Sequence, residues 1–203
     1  MKELLSEVST TLKLLGYRKK GNSFWKIDNN IYKLIDFQKG AHGGGYFFVN
    51  VCVHPIGLPK LITSEISICE HPKNHECVLR QRIEQISQNE QIKLFQRGLV
   101  SIDNREVIKA IIDTIPLEVE LWLEEWGTYE KFANSEFNEI SHMMTVVPKL
   151  KEKAFLMLKF YSNLKLGDNK KAEQYLDQYL NTRIIGLEFS EVDSYLKSLL
   201  KLQ

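Results

Sequence analysis

The chain has 203 residues, 43% of them hydrophobic and 26% charged, a globular balance that excludes a disordered or fibrous chain. Its 27 Lys and Arg against 26 Asp and Glu give a formal net charge of +1, far from the basic footprint of a dedicated nucleic-acid binder. No apolar run approaches the roughly 18 residues a membrane span needs, and the opening MKELLSEVSTTLKLL lacks the continuous apolar stretch of a signal peptide. Three cysteines imply no disulfide framework, so a cytoplasmic, reducing setting is expected.

The first predicted element is an amphipathic helix over residues 3–15, with Leu4, Leu5, Val8, Leu12 and Leu15 at three- and four-residue spacing. Gly16 is placed to end it with a left-handed cap. Strands are predicted over 23–27 and 31–38, with Asp28-Asn29-Asn30 as the hairpin turn between them. Residues 46–54 alternate most clearly: Phe47, Val49, Val51 and Val53 fall on one face, and Tyr46, Phe48, Asn50, Cys52 and His54 on the other. A fourth strand is predicted over 61–69. Short connections between these strands indicate an antiparallel sheet of about four strands with helices on one face, an α+β class.

Beyond Glu76 the period becomes helical. A helix is predicted over 77–86, with Val78, Leu79, Ile83 and Ile86 on its apolar side, and a strong run spans 105–126. Pro116 should interrupt that run, with Thr114 capping a second helix. Helices follow over 137–144, 149–166 and 189–202, the last with Ser190 as a candidate cap. Gly167-Asp168-Asn169 turns into a partner helix bearing Ala172, Tyr175, Leu176, Tyr179 and Leu180. LKLGDNKKAEQYLDQYL resembles one tetratricopeptide-type repeat, but a single copy reads as an ordinary helical hairpin. The expected organisation is an α+β domain over 1–130 and an all-helical extension over 131–203.

Four stretches are similar to one family. Leu15-Gly16-Tyr17-Arg18-Lys19-Lys20-Gly21-Asn22-Ser23-Phe24-Trp25 follows its pattern of glycine, aromatic, basic run, glycine and aromatic. Ile35-Asp36-Phe37-Gln38-Lys39, Phe47-Phe48-Val49-Asn50-Val51 and Cys77-Val78-Leu79-Arg80-Gln81-Arg82-Ile83 match its later segments. Over about residues 3–126 the chain resembles the bacterial family catalogued as domain of unknown function 4304. That resemblance implies an α+β domain with an antiparallel sheet and carries over no catalytic residues.

Charge is unevenly placed. Residues 1–100 carry 14 Lys and Arg against 9 Asp and Glu, and residues 101–203 carry 13 against 17. Between Asp113 and Glu139 there are eight acids and one lysine. A patch of one sign can steer a partner of the other, so Glu118, Glu120, Glu124 and Glu125 are candidate partner-binding residues. Arg18, Lys19, Lys20 and Lys26, interleaved with Tyr17, Phe24 and Trp25, have the residue types for phosphate contact and base stacking.

Cys69, His71, His75 and Cys77 form C-x-H-x3-H-x-C, four potential zinc ligands in nine residues. The spacing within each pair is tighter than usual for zinc. The opposing reading is two small buried cysteines flanking a loop with two exposed histidines. Gly40-Ala41-His42-Gly43-Gly44-Gly45 joins two strands and lacks the lysine and hydroxyl residue of a phosphate-binding loop. Cys52 and His54, two residues apart on one strand face, have the types for a thiolate–imidazole pair. No nucleophile-elbow, zinc-protease or paired-carboxylate signature is present. The reading reached is a non-catalytic protein-interaction module, immunity- or antitoxin-like, with a protein partner, no membrane and no cofactor. The alternatives are a metal-binding protein or metal-dependent enzyme with zinc at Cys69–Cys77, and nucleic-acid binding through the basic run.

Overall fold

The computed structural model describes residues 2–40, 47–61, 65–96 and 104–202. The chain divides into two compact units, Met1–Val53 with Arg80–Gly127, and His54–Leu79 with Thr128–Gln203. Residues 54–79, which the sequence assigns to the N-terminal domain, thus belong with the C-terminal helices. Tyr46, His42 and Gly43 to Gly45 lie outside the described residues.

The first unit opens with α1 (Lys2–Leu14). Its Leu4, Leu5, Val8 and Leu12 are buried, as their spacing requires. Gly16 ends it at φ +84°, and the amides of Gly16 and Tyr17 turn back onto the carbonyls of Lys13 and Leu12. That is the Schellman pairing, and a Cβ at this φ would strain it. Strands β1 (Arg18–Lys20), β2 (Ser23–Asp28), β3 (Ile31–Lys39), β4 (Phe47–Pro55) and β5 (Leu79–Arg82) then form one five-stranded antiparallel sheet in that order. Asp28 pairs with Ile31, so Asn29 and Asn30 alone make the turn. Their φ values of 50° and 60° are those of a type I′ hairpin, which asparagine tolerates. The α+β class therefore stands, with β1 and β5 as strands not foreseen.

Two expectations between residues 61 and 86 are corrected. The stretch 61–69 is not a strand. Its described residues are irregular, pinned by an antiparallel bridge between Pro59 and Ile68, and residues 62–64 lie outside the described set. The helix expected over 77–86 shrinks to α2 (Ile83–Ile86), because Leu79–Arg82 is strand β5. Leu79 and Gln81 are buried while Arg80 and Arg82 are half-buried, an alternation that suits a pleat. The neighbouring β4 supplies ladder partners that a local helical period cannot register.

Helix α3 (Glu90–Gln96) contributes Phe95 to the core. The rings of Phe24, Phe37, Phe47 and Phe95 run through this core in sequence, with centroids 5.9, 6.1 and 4.9 Å apart. These spacings are those of favourable aromatic pairs. Helix α4 (Arg105–Thr114) packs against α1 and α3. The chain then passes through a π turn (Ile115–Val119) into α5 (Glu120–Trp126). Thr114 does not cap a new helix. It has helical dihedrals, and its hydroxyl lies 3.4 Å from that of Ser87. The wider turn, closed by the Glu120 amide on the Ile115 carbonyl, absorbs Pro116 without ending the helix.

Glu120 connects the start of α5 to the sheet. The Tyr17 hydroxyl donates to its Oε1 at 2.6 Å and Lys26 Nζ to its Oε2 at 2.6 Å. Lys26 also lies 4.5 Å from the Tyr17 ring centroid. Burial, together with the Glu120 and Glu124 charges, pushes the Tyr17 phenol far above its ordinary range, so it remains a donor.

The second unit contains α6 (Tyr129–Asn134), α7 (Phe137–Ile140), a 3-10 turn (Pro148–Leu150), α8 (Lys151–Lys165), α9 (Asn169–Asn181) and α10 (Ser190–Lys201). Helix α8 is its axis, buried from Lys153 to Leu164. Lys153 donates to the carbonyls of Tyr179 and Thr182 at 2.7 and 3.1 Å, at the C-terminal end of α9. Lys159 donates to those of Ala133 and Ser135 at 2.6 and 2.9 Å, at the C-terminal end of α6. Burial lowers both lysine pKa values, and the negative ends of the two helices favour the charged forms. Asp168 caps α9 by accepting from the Lys171 amide. Phe189, not Ser190, occupies the cap position of α10.

The loop after β4 is clamped by two tyrosines. Tyr161 of α8 donates to the Ile56 carbonyl at 2.7 Å, and Tyr195 of α10 to the Gly57 carbonyl at 3.1 Å. Gly57 has φ +90°, and a Cβ there would lie 2.3 Å from the Tyr161 hydroxyl oxygen. Among the described residues no helix is long and apolar enough to cross a membrane.

Removing the Glu120 carboxylate leaves Lys26 and the Tyr17 hydroxyl without their shared acceptor. Glu120→Ala is expected to destabilise the fold by about 3 kcal/mol, the scale for breaking one side of a buried pair. Urea denaturation followed by circular dichroism measures it, and an unchanged midpoint contradicts it.

Candidate functional site

The four acidic candidates separate into two kinds. Glu120 is only 7% exposed and is held by Tyr17 and Lys26. Glu118 accepts from the Ser87 hydroxyl at 3.0 Å and the Gln88 amide at 2.9 Å, which ties the π turn to the segment after α2. Glu124 and Glu125 are exposed on α5. Leu117, just before Glu118, and Leu121, between the two pairs, belong to the apolar set the sequence places on this helix, yet they are 65% and 63% exposed. They lie four residues apart, hence on one helical face, with the exposed Asp113 and Glu124 beyond them at similar spacing. The combined apolar and acidic face is a candidate contact surface, displayed by a helix whose Val119, Leu123 and Trp126 are buried.

The basic run is largely engaged with its own unit. Arg18 lies over the Trp25 ring at 5.4 Å and Lys19 over Phe24 at 5.2 Å. Lys26 is paired with Glu120, and Lys20 is exposed. Phe24 is buried in the core, while Trp25 stacks on Tyr32 with centroids 5.8 Å apart.

The cysteine–histidine segment occupies a loop of the second unit. Cys77 is buried, Cys69 half-buried, and His71 and His75 exposed. Among the described residues no three His, Cys, Asp or Glu side chains form a group that could hold a metal ion. The loop is closed instead by Glu76, which accepts from Lys60 Nζ at 2.6 Å and from the Lys73 amide at 2.8 Å. The Lys60 hydrogen bond leads the effects that hold the Glu76 carboxyl below its ordinary pKa.

This loop forms part of the wall of a cavity of about 220 Å³. Its apolar lining includes Leu58, Val78, Val146, Ala154 and Met157, and its polar lining includes His54, Lys60, His75, Glu76 and Thr145. The Thr145 hydroxyl is already engaged, donating to the Cys77 carbonyl. His54, delivered by the end of β4, is 3% exposed, and among the described residues neither ring nitrogen has a hydrogen-bond partner. Burial lowers its pKa to about 4. The approach of the Leu58 backbone opposes this without closing a hydrogen bond, Lys60 adds to it, and Glu76 opposes it. Sequence alternation identifies the strand face of His54, but nothing local brings α8 and Val146 around it.

Residues 8–125 match the model of a family described as Domain of unknown function (DUF4304). The chain belongs to that family. No curated protein and no solved structure matches it. The matched span contains Tyr17, Lys26 and Glu120, the exposed leucines and the 54–78 part of the cavity wall, whereas Thr145, Val146, Ala154 and Met157 lie beyond it.

The folded state holds His54 neutral, so its contribution to stability is complete above the unfolded pKa of about 6.5 and is lost as pH falls towards 4. That loss is on the order of 3 kcal/mol. Relative to wild type, His54→Leu should flatten the decline in unfolding free energy, measured by urea titration, between pH 7 and pH 4 by this amount. Parallel pH profiles for the two proteins contradict the assignment.

Proposed function

We propose that this member of the DUF4304 family is a non-catalytic protein-interaction module whose contact surface is the π turn and α5. The observation that carries the reading is the pair Leu117 and Leu121, two large aliphatic side chains exposed one turn apart on a well-buried helix and bordered by carboxylates. Exposed aliphatic side chains rimmed by charge are a feature of protein contact surfaces. A π turn inside an α-helix, as at Ile115–Val119, is frequent where a helix carries function. The complementary partner is a protein that presents an apolar ridge flanked by lysine or arginine. The acidic border would act chiefly on the rate of encounter and the choice of partner. Capture and neutralisation of such a basic protein, as an immunity protein or antitoxin does, is the specific form of this reading.

The decisive variant is Leu117→Ser with Leu121→Ser. Both positions are exposed, so stability should move by less than about 0.5 kcal/mol for each. Affinity purification with wild-type chain should retain a basic protein whose recovery falls with added salt. The double variant should lose it while melting as wild type does, and Glu124→Gln should reduce the salt sensitivity. Equal recovery by the double variant overturns the proposal.

A further inference from the structure

We infer that the cavity at His54 binds a small neutral molecule with an apolar body and a single hydroxyl head, of the phenol or alcohol class. The cavity lies in the second unit, so this reading is independent of the helix face in the first. Its volume of about 220 Å³ exceeds the roughly 150 Å³ that accommodates benzene, which sets a ligand of about nine non-hydrogen atoms. The lining is chiefly aliphatic, from Leu58, Val78 and Val146 to Ala154 and Met157 on α8, so the body of the ligand must be apolar.

The head is specified by His54. A neutral imidazole carries one N–H donor and one lone-pair acceptor, and both ring nitrogens are buried with no partner among the described residues. A buried polar group in that condition is unfavourable, and a ligand that completes its hydrogen bonding recovers that penalty. A hydroxyl can serve either nitrogen, as donor to the lone pair or acceptor from the N–H. A hydrocarbon serves neither. Charged heads fit less well, because Lys60 and Glu76, the charged groups on the wall, already neutralise each other at 2.6 Å. The loop that carries Leu58 is fixed by Tyr161 and Tyr195, so that side of the cavity is preformed.

The test compares p-cresol, p-xylene and p-toluate, which share an aromatic body and differ in the head. Binding to the full chain is followed by calorimetry and by the imidazole nitrogen resonances, with His54 assigned from its absence in His54→Leu. The expected result is saturable binding of p-cresol, about ten-fold tighter than p-xylene, the scale of one net hydrogen bond. His54 resonances should shift, and His54→Leu should bring the cresol-to-xylene ratio close to one. Ala154→Leu fills the cavity from α8 while leaving His54 in place, and should remove binding of both. Equal binding of p-cresol and p-xylene to wild type would overturn the hydroxyl assignment. Preference for p-toluate would overturn the neutral head, and saturable binding by none of the three would overturn the site.

Discussion

The carboxylate of Glu120 is buried at the start of α5, where its own helix offers it no donors. It must be met from elsewhere, and Tyr17 and Lys26 meet both of its oxygens. That requirement joins the residue just after α1, strand β2 and α5, and so orders much of the first unit. In the second unit the same rule operates with the opposite sign. Lys153 and Lys159, buried on α8, can remain charged because each faces the terminal carbonyls of a neighbouring helix. Apolar burial drives both units to collapse, but it is indifferent to small changes in which helix meets which. The buried charges are not, since one left unpaired is far more unfavourable than a misplaced methyl group.

Against that background His54 stands apart. Glu120, Lys153 and Lys159 are buried and paired, whereas His54 is buried, neutral and without a hydrogen-bond partner among the described residues, beside open space. The loop just after it is secured by the two tyrosines, and the 73–76 loop by Glu76. A hydrogen-bonded wall and unmet ring nitrogens are the two features on which the inferred ligand rests. The exposed Leu117 of the π turn and Leu121 of α5 are a second departure from a purely structural design. The two features lie in different units, and the partners proposed for them differ in kind, a small molecule in one case and a protein surface in the other.

Local chemistry made part of this molecule legible. The two-residue Asn29-Asn30 turn, the Gly16 cap and the turn at Gly167-Asp168 depend on backbone conformations that few residues adopt, so their positions can be read from composition alone. The α8–α9 hairpin follows from helical periodicity on either side of such a turn. The segment from Cys77 to Ile86 was not legible in this way. Val78, Leu79 and Ile83 satisfy a helical stripe, yet Leu79–Arg82 becomes a strand because β4 has an open edge beside it. The zinc-like spacing of Cys69, His71, His75 and Cys77 says nothing by itself of where the side chains stand, since close spacing along a chain does not make side chains converge. In the structure Cys77 faces inward while His71 and His75 are exposed.

The sequence by itself determined the α+β class, the family and most of the helices, because these rest on patterns with short range: a period of two or of 3.6, and a few turn residues. Only the tertiary structure decided what each glutamate does. Glu118, Glu120 and Glu124 look equivalent in a string of letters, yet one braces a π turn, one is buried as an acceptor and one is exposed beside two leucines. Their roles depend on residues about 30 and about 100 positions away. The surroundings of His54 were decided in the same way, by the meeting of β4, the 58–61 and 75–78 segments and α8. Burial and hydrogen-bond satisfaction are properties of the assembled fold, and no periodicity along the chain encodes them.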